Sequence, residues 1–312
     1  MPLPEILAVG GAHIDRRGQV SGDFVPGASN PGVMREEVGG GAFNALRNAV
    51  QRGAKGAMLS MRGGDAAGDA VARAIADTGI ADLSAVFLDR ATPSYTALLD
   101  QHGDVVAALA DMALYELAFP KQMRRSKVRA AVAGAEALLC DANLPAAALQ
   151  RLMPLAAGKP VFAIAISPAK VVRLAETLPA LTCLFMNPRE ATALVGLQAS
   201  DQHGIIESLR RMGLSSGVIT QGPGPVLGFD ATGIVAIEPP APRRIADVTG
   251  AGDALAGATM VAMMRGLELG EALREGLAAA MLAIETGASV PNLSTAAFSD
   301  ALALVPKLDE MR

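Results

Sequence analysis

The stretch Ile245-Ala-Asp-Val-Thr-Gly250-Ala-Gly-Asp253-Ala-Leu-Ala-Gly-Ala-Thr-Met-Val-Ala-Met-Met-Arg265 changes character at its glycines. It begins as an extended, β-branched approach, turns through Gly250-Ala251-Gly252 and runs on as an apolar helix that Gly266 stops. A small-residue turn that opens a helix leaves several backbone N–H groups unpaired and aimed one way. With the helix dipole behind them they form a site for an oxyanion. Asp253 stands at that point, where a substrate hydroxyl would give up its proton beside stabilised phosphoryl oxygens. A bare Gly-x-Gly-Asp also reads as a helix start whose glycines serve packing and whose Asp only caps. For so short a motif that plainer reading outweighs the first.

Working outward, the chain alternates strands and helices. Ile6-Leu-Ala-Val9 is an apolar run ending in Gly10-Gly11, as a buried parallel strand would be. Asp15 follows close to its carboxyl end, where open parallel sheets bind ligands, as a candidate for sugar hydroxyls or a solvated loop residue. Residues 16–37 are polar, carry Pro26, Gly27, Pro31 and Gly32, and read as a flap. Val38-Gly-Gly-Gly-Ala-Phe-Asn44 then opens a helix; its glycines let backbone approach a ligand, and Asn44 offers a donor and acceptors to vicinal hydroxyls. Tyr95–Asp100 and Asp104–Leu109 flank Gln101-His-Gly103 as a β-hairpin, which with residues 16–37 makes a small β lid. From Glu136 onward each strand delivers a polar or glycine cluster at its carboxyl end. These clusters are Asp141-Ala-Asn143, Ser167-Pro-Ala-Lys170, Asn187-Pro-Arg-Glu190 and Thr220-Gln-Gly222-Pro-Gly224. In a doubly wound sheet those ends share one edge.

Composition narrows the classes. The 312 residues are half apolar, lack tryptophan and carry a net charge of −4, so there is no electrostatic footprint for nucleic acid or an anionic membrane. No apolar run approaches the roughly 18–20 residues of a membrane span. The N-terminus lacks the basic flank of a signal peptide, and the expected location is the cytoplasm. Cys140 and Cys183 sit in apolar strand-like runs and read as buried free thiols. There is no Gly-x-x-x-x-Gly-Lys-Ser/Thr, which excludes a P-loop site, and no Gly-x-Gly-x-x-Gly after the first strand. An anion hole beside a carboxylate, with hydroxyl-binding groups near the N-terminus, suits phosphoryl transfer from ATP to an alcohol.

The string Asp247-Val-Thr-Gly-Ala-Gly-Asp253 resembles the C-terminal signature of the PfkB, or ribokinase-like, carbohydrate kinases. Gly39-Gly40-x-x-x-Asn44 resembles their N-terminal signature, and the two occur in the right order. The resemblance implies a ribokinase-like three-layer α/β/α fold with a doubly wound, mainly parallel sheet. One kinase domain over residues 1–312 would carry lid segments at about 16–37 and 93–112. It implies Asp253 as the base, with the Gly250, Ala251 and Gly252 amides as anion hole. Asn187 and Glu190 resemble the motif for phosphate and Mg²⁺, the metal held through water. Asp247 and the Thr249 carbonyl would hold a monovalent cation, K⁺. Thr220, Gly222 and Gly224 resemble the nucleotide-binding loop, with Asn292 near the adenine of ATP.

Within that family, Thr96–Asp104, Ala110-Asp-Met112, Asp141–Pro145, Ser167–Lys170 and Val290–Ser294 are similar to the pseudouridine kinases. This implies phosphorylation of a nucleoside 5′-hydroxyl, with Asp15, Gly40, Gly41 and Asn44 on the ribose. Asn143 and Lys170 would face the base or lid edge, with Thr96 and Asp111 on the lid. A homodimer through the lid is expected. Many members carry a basic residue immediately before the motif Asn; Phe43 stands here, which removes a charge from the acceptor pocket. Ribokinase-like or fructokinase-like sugar kinases are the alternative, and a non-catalytic nucleoside-binding regulator a second.

Overall fold

The structure, a computed structural model, describes residues 3–196, 201–286 and 290–308. Strand Glu5–Val9 lies inside a nine-stranded sheet whose spatial order is Gly233–Ile237, Gly224–Asp230, Gly217–Gln221, Cys183–Met186, Val161–Ile164, Ala137–Asp141, Glu5–Val9, Lys55–Leu59, Ala81–Asp82. Neighbours are parallel throughout, except that Gly224–Asp230 runs antiparallel to both of its partners at one edge.

Side chains alternate between two cores, as period two dictates for strands covered on both faces. Ile6, Ala8, Leu139, Phe162, Ile164 and Phe185 point into one. Leu7, Val9, Leu138, Cys140, Val161, Ala163 and Leu184 point into the other. The first core is closed by helices Gly41–Gln51, Ala251–Met264 and Leu269–Ile284, the second by Ala113–Gln122, Ala146–Leu155 and Gln202–Arg211. This is the three-layer ribokinase-like arrangement expected from the sequence. Both cysteines are buried free thiols, one in each core.

The chain leaves Glu5–Val9 for the Lys55–Leu59 side and later returns to its other side as Ala137–Asp141. A crevice opens where the winding reverses, at the carboxyl ends of those two strands. Above it stands a separate four-stranded sheet in the order Gly32–Gly39, His13–Val20, Ser94–Leu99, Val105–Asp111. Residues 16–37, read as a flap, therefore contain most of two antiparallel strands, paired from His13–Gly39 to Val20–Gly32. Their polarity misleads because one face of this sheet is open to solvent, where a strand needs no apolar residues. Asp15 accordingly lies in a strand.

Helices Ala251–Met264 and Leu269–Ile284 are apolar on nearly all sides, as buried helices are. Helix Ala251–Met264 approaches Gly41–Gln51 on one side and Leu269–Ile284 on the other, and both approaches depend on missing side chains. A Cβ on Gly257 would lie 2.3 Å from the Ala45 carbonyl oxygen, and one on Gly276 2.1 Å from Thr259 Oγ1. Alanine is the better helix former by about 1 kcal/mol. Gly257→Ala is nonetheless expected to destabilise the protein by about 1–3 kcal/mol through overpacking. A lower urea midpoint for the variant is the expected result; an unchanged or higher one would show that helices Gly41–Gln51 and Ala251–Met264 separate freely.

Candidate active site

Gly250 adopts the left-handed conformation, φ 80°, that turns the chain into helix Ala251–Met264. No side chain among the described residues caps this helix, whereas Asp65, Asn187, Asp201 and Ser294 each cap theirs. Its first amides are thus left for a ligand. Asp253 sits in the first turn, and its Oδ2 accepts a 2.9 Å hydrogen bond from Asn44 Nδ2. Gly41 lies so close that a Cβ there would fall 3.6 Å from Asp253 Oδ1 and 2.4 Å from Ile166 Cδ1. Removal from water pushes the Asp253 carboxyl up to about 7; Asp141 and Asp15 add to this, while Asn44 and Arg47 oppose it.

The floor of the crevice is held by Asp141. Its carboxylate accepts from the amides of Gly11 at 2.9 Å, Ala42 at 3.1 Å and Asn143 at 3.0 Å, and from Asn143 Nδ2 at 3.1 Å. The glycine loop is thereby stitched to the end of the first strand. Gly40, at φ 112°, is required there, since a Cβ would lie 2.4 Å from the Gly11 carbonyl oxygen. On the facing wall Lys170 Nζ donates to Asn143 Oδ1 at 2.6 Å. Burial lowers the Lys170 ammonium, against the pull of Asp141. Asp15 Oδ1 lies 3.3 Å from His13 Nε2, and its Oδ2 fills space that a side chain on Gly39 would take.

At the other end, Asn187 and Glu190 form a reciprocal capping box: Asn187 Oδ1 accepts from the Glu190 amide at 2.9 Å, and Glu190 Oε2 from the Asn187 amide at 2.7 Å. Glu190 is buried, and desolvation raises its carboxyl above the usual range, opposed by the Asn187 amide. The cleft these groups share has a volume of about 480 Å³.

Residues 3–296 match the pfkB family carbohydrate kinases. The chain belongs to that family. Pseudouridine kinase of Escherichia coli (strain K12) is 27% identical over 280 residues, 86% of this chain and 87% of that protein. A carbohydrate kinase of Agrobacterium tumefaciens with a solved structure is 44% identical, with a TM-score of 0.85 and coverage of 98% of this chain and 99% of its own. Ribokinase of Arabidopsis thaliana complexed with ribose and ATP shares the fold at 20% identity, TM-score 0.84, with 97% and 99% of the two chains covered. This PfkB protein is a phosphotransferase acting on an alcohol group.

The PfkB cleft brings together Asp15, Gly40, Gly41, Asn44, Asn143, Lys170, Asn187, Glu190, Thr220, Thr249, Gly252 and Asp253. Other residues expected at the site stand elsewhere. Thr96 and Asp111 belong to the second sheet, where alternation turns their neighbours Tyr95, Ala110 and Met112 to the cleft instead. Gly222 and Gly224 form the tight turn at the sheet edge beyond Thr220, and Asn292 is exposed. Gly250 and Ala251 lie behind Gly252 in the same turn, outside the cleft wall, and the Ala251 amide reaches back to the Val248 carbonyl at 3.4 Å.

Asp247 faces the second sheet. Its Oδ2 accepts from Arg17 at 2.8 Å and its Oδ1 from the Thr249 amide at 2.8 Å. Partial burial raises this carboxyl, but the Thr249 and Arg17 bonds more than offset it and leave it low. A monovalent cation here would share a carboxylate already held by a guanidinium.

Several wall residues carried no sequence signal. Ile166 has φ 72°, rare for a β-branched residue, and packs against Gly41. His13 and Tyr95 are set by the second sheet. Behind the cleft lining, the Arg47 guanidinium sits 4.5 Å from the Phe43 ring centroid. Its spacing, one helical turn after Asn44, was the available clue.

An Asp253 carboxyl near 7 has two consequences. kcat/KM for the free enzyme should rise with pH through about 7 as the base ionises, and Asp253→Asn should lose on the order of 10²–10⁴-fold above that pH and less below it, where the wild-type carboxyl is itself protonated. A raised carboxyl also favours the folded state at low pH, and that contribution is lost as pH rises through about 7. Asp253→Asn should therefore gain more in Tm over the wild type at pH 8 than at pH 4. Near-wild-type kcat in the variant would remove Asp253 from the chemistry.

Proposed function

We propose that this PfkB enzyme transfers the γ-phosphoryl group of ATP to the 5′-hydroxyl of a nucleoside, with pseudouridine as its preferred acceptor. The observation that carries the nucleoside reading is the Lys170–Asn143 pair, placed across the cleft from the Asp253–Asn44 pair. A free sugar would use the Asp253 side alone. A nucleoside also presents a base with donors and acceptors, and Lys170 and Asn143 are positioned to meet it. The similarity to pseudouridine kinase of E. coli supports the choice of base.

In this reading the ribose lies against Asp15, Gly40, Gly41 and Asn44. Asp253 takes the proton of the attacking hydroxyl, and the amides of Gly250, Ala251 and Gly252 receive the charge of the migrating phosphoryl group. Thr220 and Asn187 border the nucleotide. Mg²⁺ would be held by Glu190 through water; the Glu190 oxygen left by the Asn187 amide takes no hydrogen bond among the described residues, which suits that role. Bound there, the ion supplies charge neutralisation to the phosphates. Among the described residues no cluster of three or more His, Cys, Asp or Glu could hold a metal ion. K⁺ is assigned to Thr249 and Asp247, in competition with Arg17.

ATP consumption with pseudouridine, uridine, adenosine, ribose and fructose, with and without K⁺, tests the acceptor. Pseudouridine should exceed uridine by about tenfold to a hundredfold in kcat/KM, the effect of an N–H the site can pair, and exceed ribose by more. Lys170→Ala should reduce kcat/KM for the nucleoside more than for ribose. Ribose or fructose as best acceptor, or an equal effect of Lys170→Ala on all, replaces this reading with a sugar kinase. No turnover of any acceptor leaves a nucleoside-binding regulator.

The four-stranded sheet is proposed to close over the acceptor as a lid of the one kinase domain and to pair with its copy in a homodimer. Strand Val105–Asp111 is exposed along its whole length, with Val105 at 60% and Leu109 at 71%, and Val33 and Met34 stand exposed on the opposite edge strand. Open apolar edges of this kind need covering. A dimer is expected by light scattering at micromolar concentration, and Leu109→Lys should yield monomers; a wild-type monomer removes this interface.

A further inference from the structure

Arg47 lies one turn beyond Asn44 in helix Gly41–Gln51. Its Nη2 donates to the Asn44 side-chain oxygen and, at 3.3 Å, to the Val38 carbonyl. The guanidinium stacks on Phe43, which is fully buried, and its own buried Nε has no partner among the described residues. Leaving a buried donor unpaired is costly, so this placement asks for a compensating role.

Chemistry supplies one. A guanidinium only donates, so the amide end that faces Arg47 must be the oxygen. The Asn44 NH₂ then has to face Asp253, as it does at 2.9 Å. Turned the other way, the amide would set its oxygen against the Asp253 carboxylate and its NH₂ against the guanidinium, two repulsive contacts in place of two bonds.

We infer that Arg47 is a positioning residue of the transfer reaction, holding the Asn44 amide with its N–H toward Asp253 so that this carboxylate stays ionised and aimed at the acceptor hydroxyl. The inference rests on Asp253 being the base.

The surrounding charges make such a device useful. Asp141, from the end of strand Ala137–Asp141, and Asp15, from strand His13–Val20, both disfavour an ionised Asp253; Asn44 and Arg47 favour it. Glu37, from strand Gly32–Gly39, faces Arg47 along with Asp15 and Asp253. His13 stands beside Asp15, and Lys170 interacts with Asp141 and Asp15 from the far wall. Burial lowers the Arg47 guanidinium to about 10, against those three carboxylates, so it keeps its charge at neutral pH.

The test is the pH profile of kcat/KM, with MgATP and the best acceptor of the screen, for wild type, Arg47→Met, Arg47→Lys and Asp253→Asn. Arg47→Met keeps the packing on Phe43 and removes the charge. Its acid limb should move up by about one pH unit, the lower end of a neighbouring-charge effect, so that activity falls about tenfold at pH 6 and recovers toward wild type above pH 9. Arg47→Lys keeps a charge without the planar fork and should shift the limb less. In a cycle with Asn44→Ala, the double variant with Arg47→Met should be little worse than Asn44→Ala alone.

A loss uniform across pH, or additive losses in the cycle, overturns the inference and leaves Arg47 a packing residue. Should Arg47→Met fail to fold, the Arg47→Lys profile decides, and one superimposable on wild type overturns it. Asp253→Asn separates the two levels. If it is inactive while the Arg47 variants show no shift, only Arg47's role falls; if it is active, the base assignment falls and this inference with it.

Discussion

A buried carboxylate, Asp141, is the point on which the site depends. It is fully shielded from solvent and sits where the order of the sheet reverses, between the ends of strands Glu5–Val9 and Ala137–Asp141. A buried charge is tolerable only when its oxygens are satisfied, and here four hydrogen bonds do so. Those bonds come from the first strand's exit, from the amide of Ala42 beyond the glycine loop, and from Asn143. One group thus sets the height of the glycine loop, and with it Asn44, while holding Asn143 for Lys170. The two halves of the cleft are fixed relative to one another by one side chain.

The resulting electrostatics are lopsided. Asp15, Asp141, Asp253 and Glu190 surround the cleft, and Lys170 is the cation on its wall. An acidic protein that handles a polyphosphate cannot rely on lysines and arginines for attraction. The uncapped start of helix Ala251–Met264 offers unpaired amides and the positive end of its dipole instead. Burial, with Asp141 and Asp15 adding to it, raises the Asp253 carboxyl toward neutrality.

The second sheet is tied to this arrangement by a long-range contact. Arg17, from strand His13–Val20, grips Asp247 at the approach to the helix. The pair is partly exposed, so its worth is modest, on the order of 1 kcal/mol or less. Its value is geometric. It joins the strand that carries Asp15 to the loop that leads into helix Ala251–Met264.

Sequence alone determined the layered fold and the family, because the signals for both are written locally. Short apolar runs ending in Gly10-Gly11, Asp141, Asn187 or Thr220 mark buried parallel strands and place their polar ends on one edge. A glycine turn opening an apolar helix leaves its first amides without helical partners wherever the chain folds. What spacing along the chain does not encode is which face of an exposed sheet meets the cleft and which distant groups meet one another. Strands in residues 16–37 were hidden by polar residues on a solvated face. Tyr95 rather than Thr96 faces the ligand space because of a half-turn of pleat set by pairing with strand Val105–Asp111. Arg47 adjoins Asn44 within one helix, but Asp253 joins them only once helices Gly41–Gln51 and Ala251–Met264 pack. That packing is possible because Gly257 has no side chain to keep them apart.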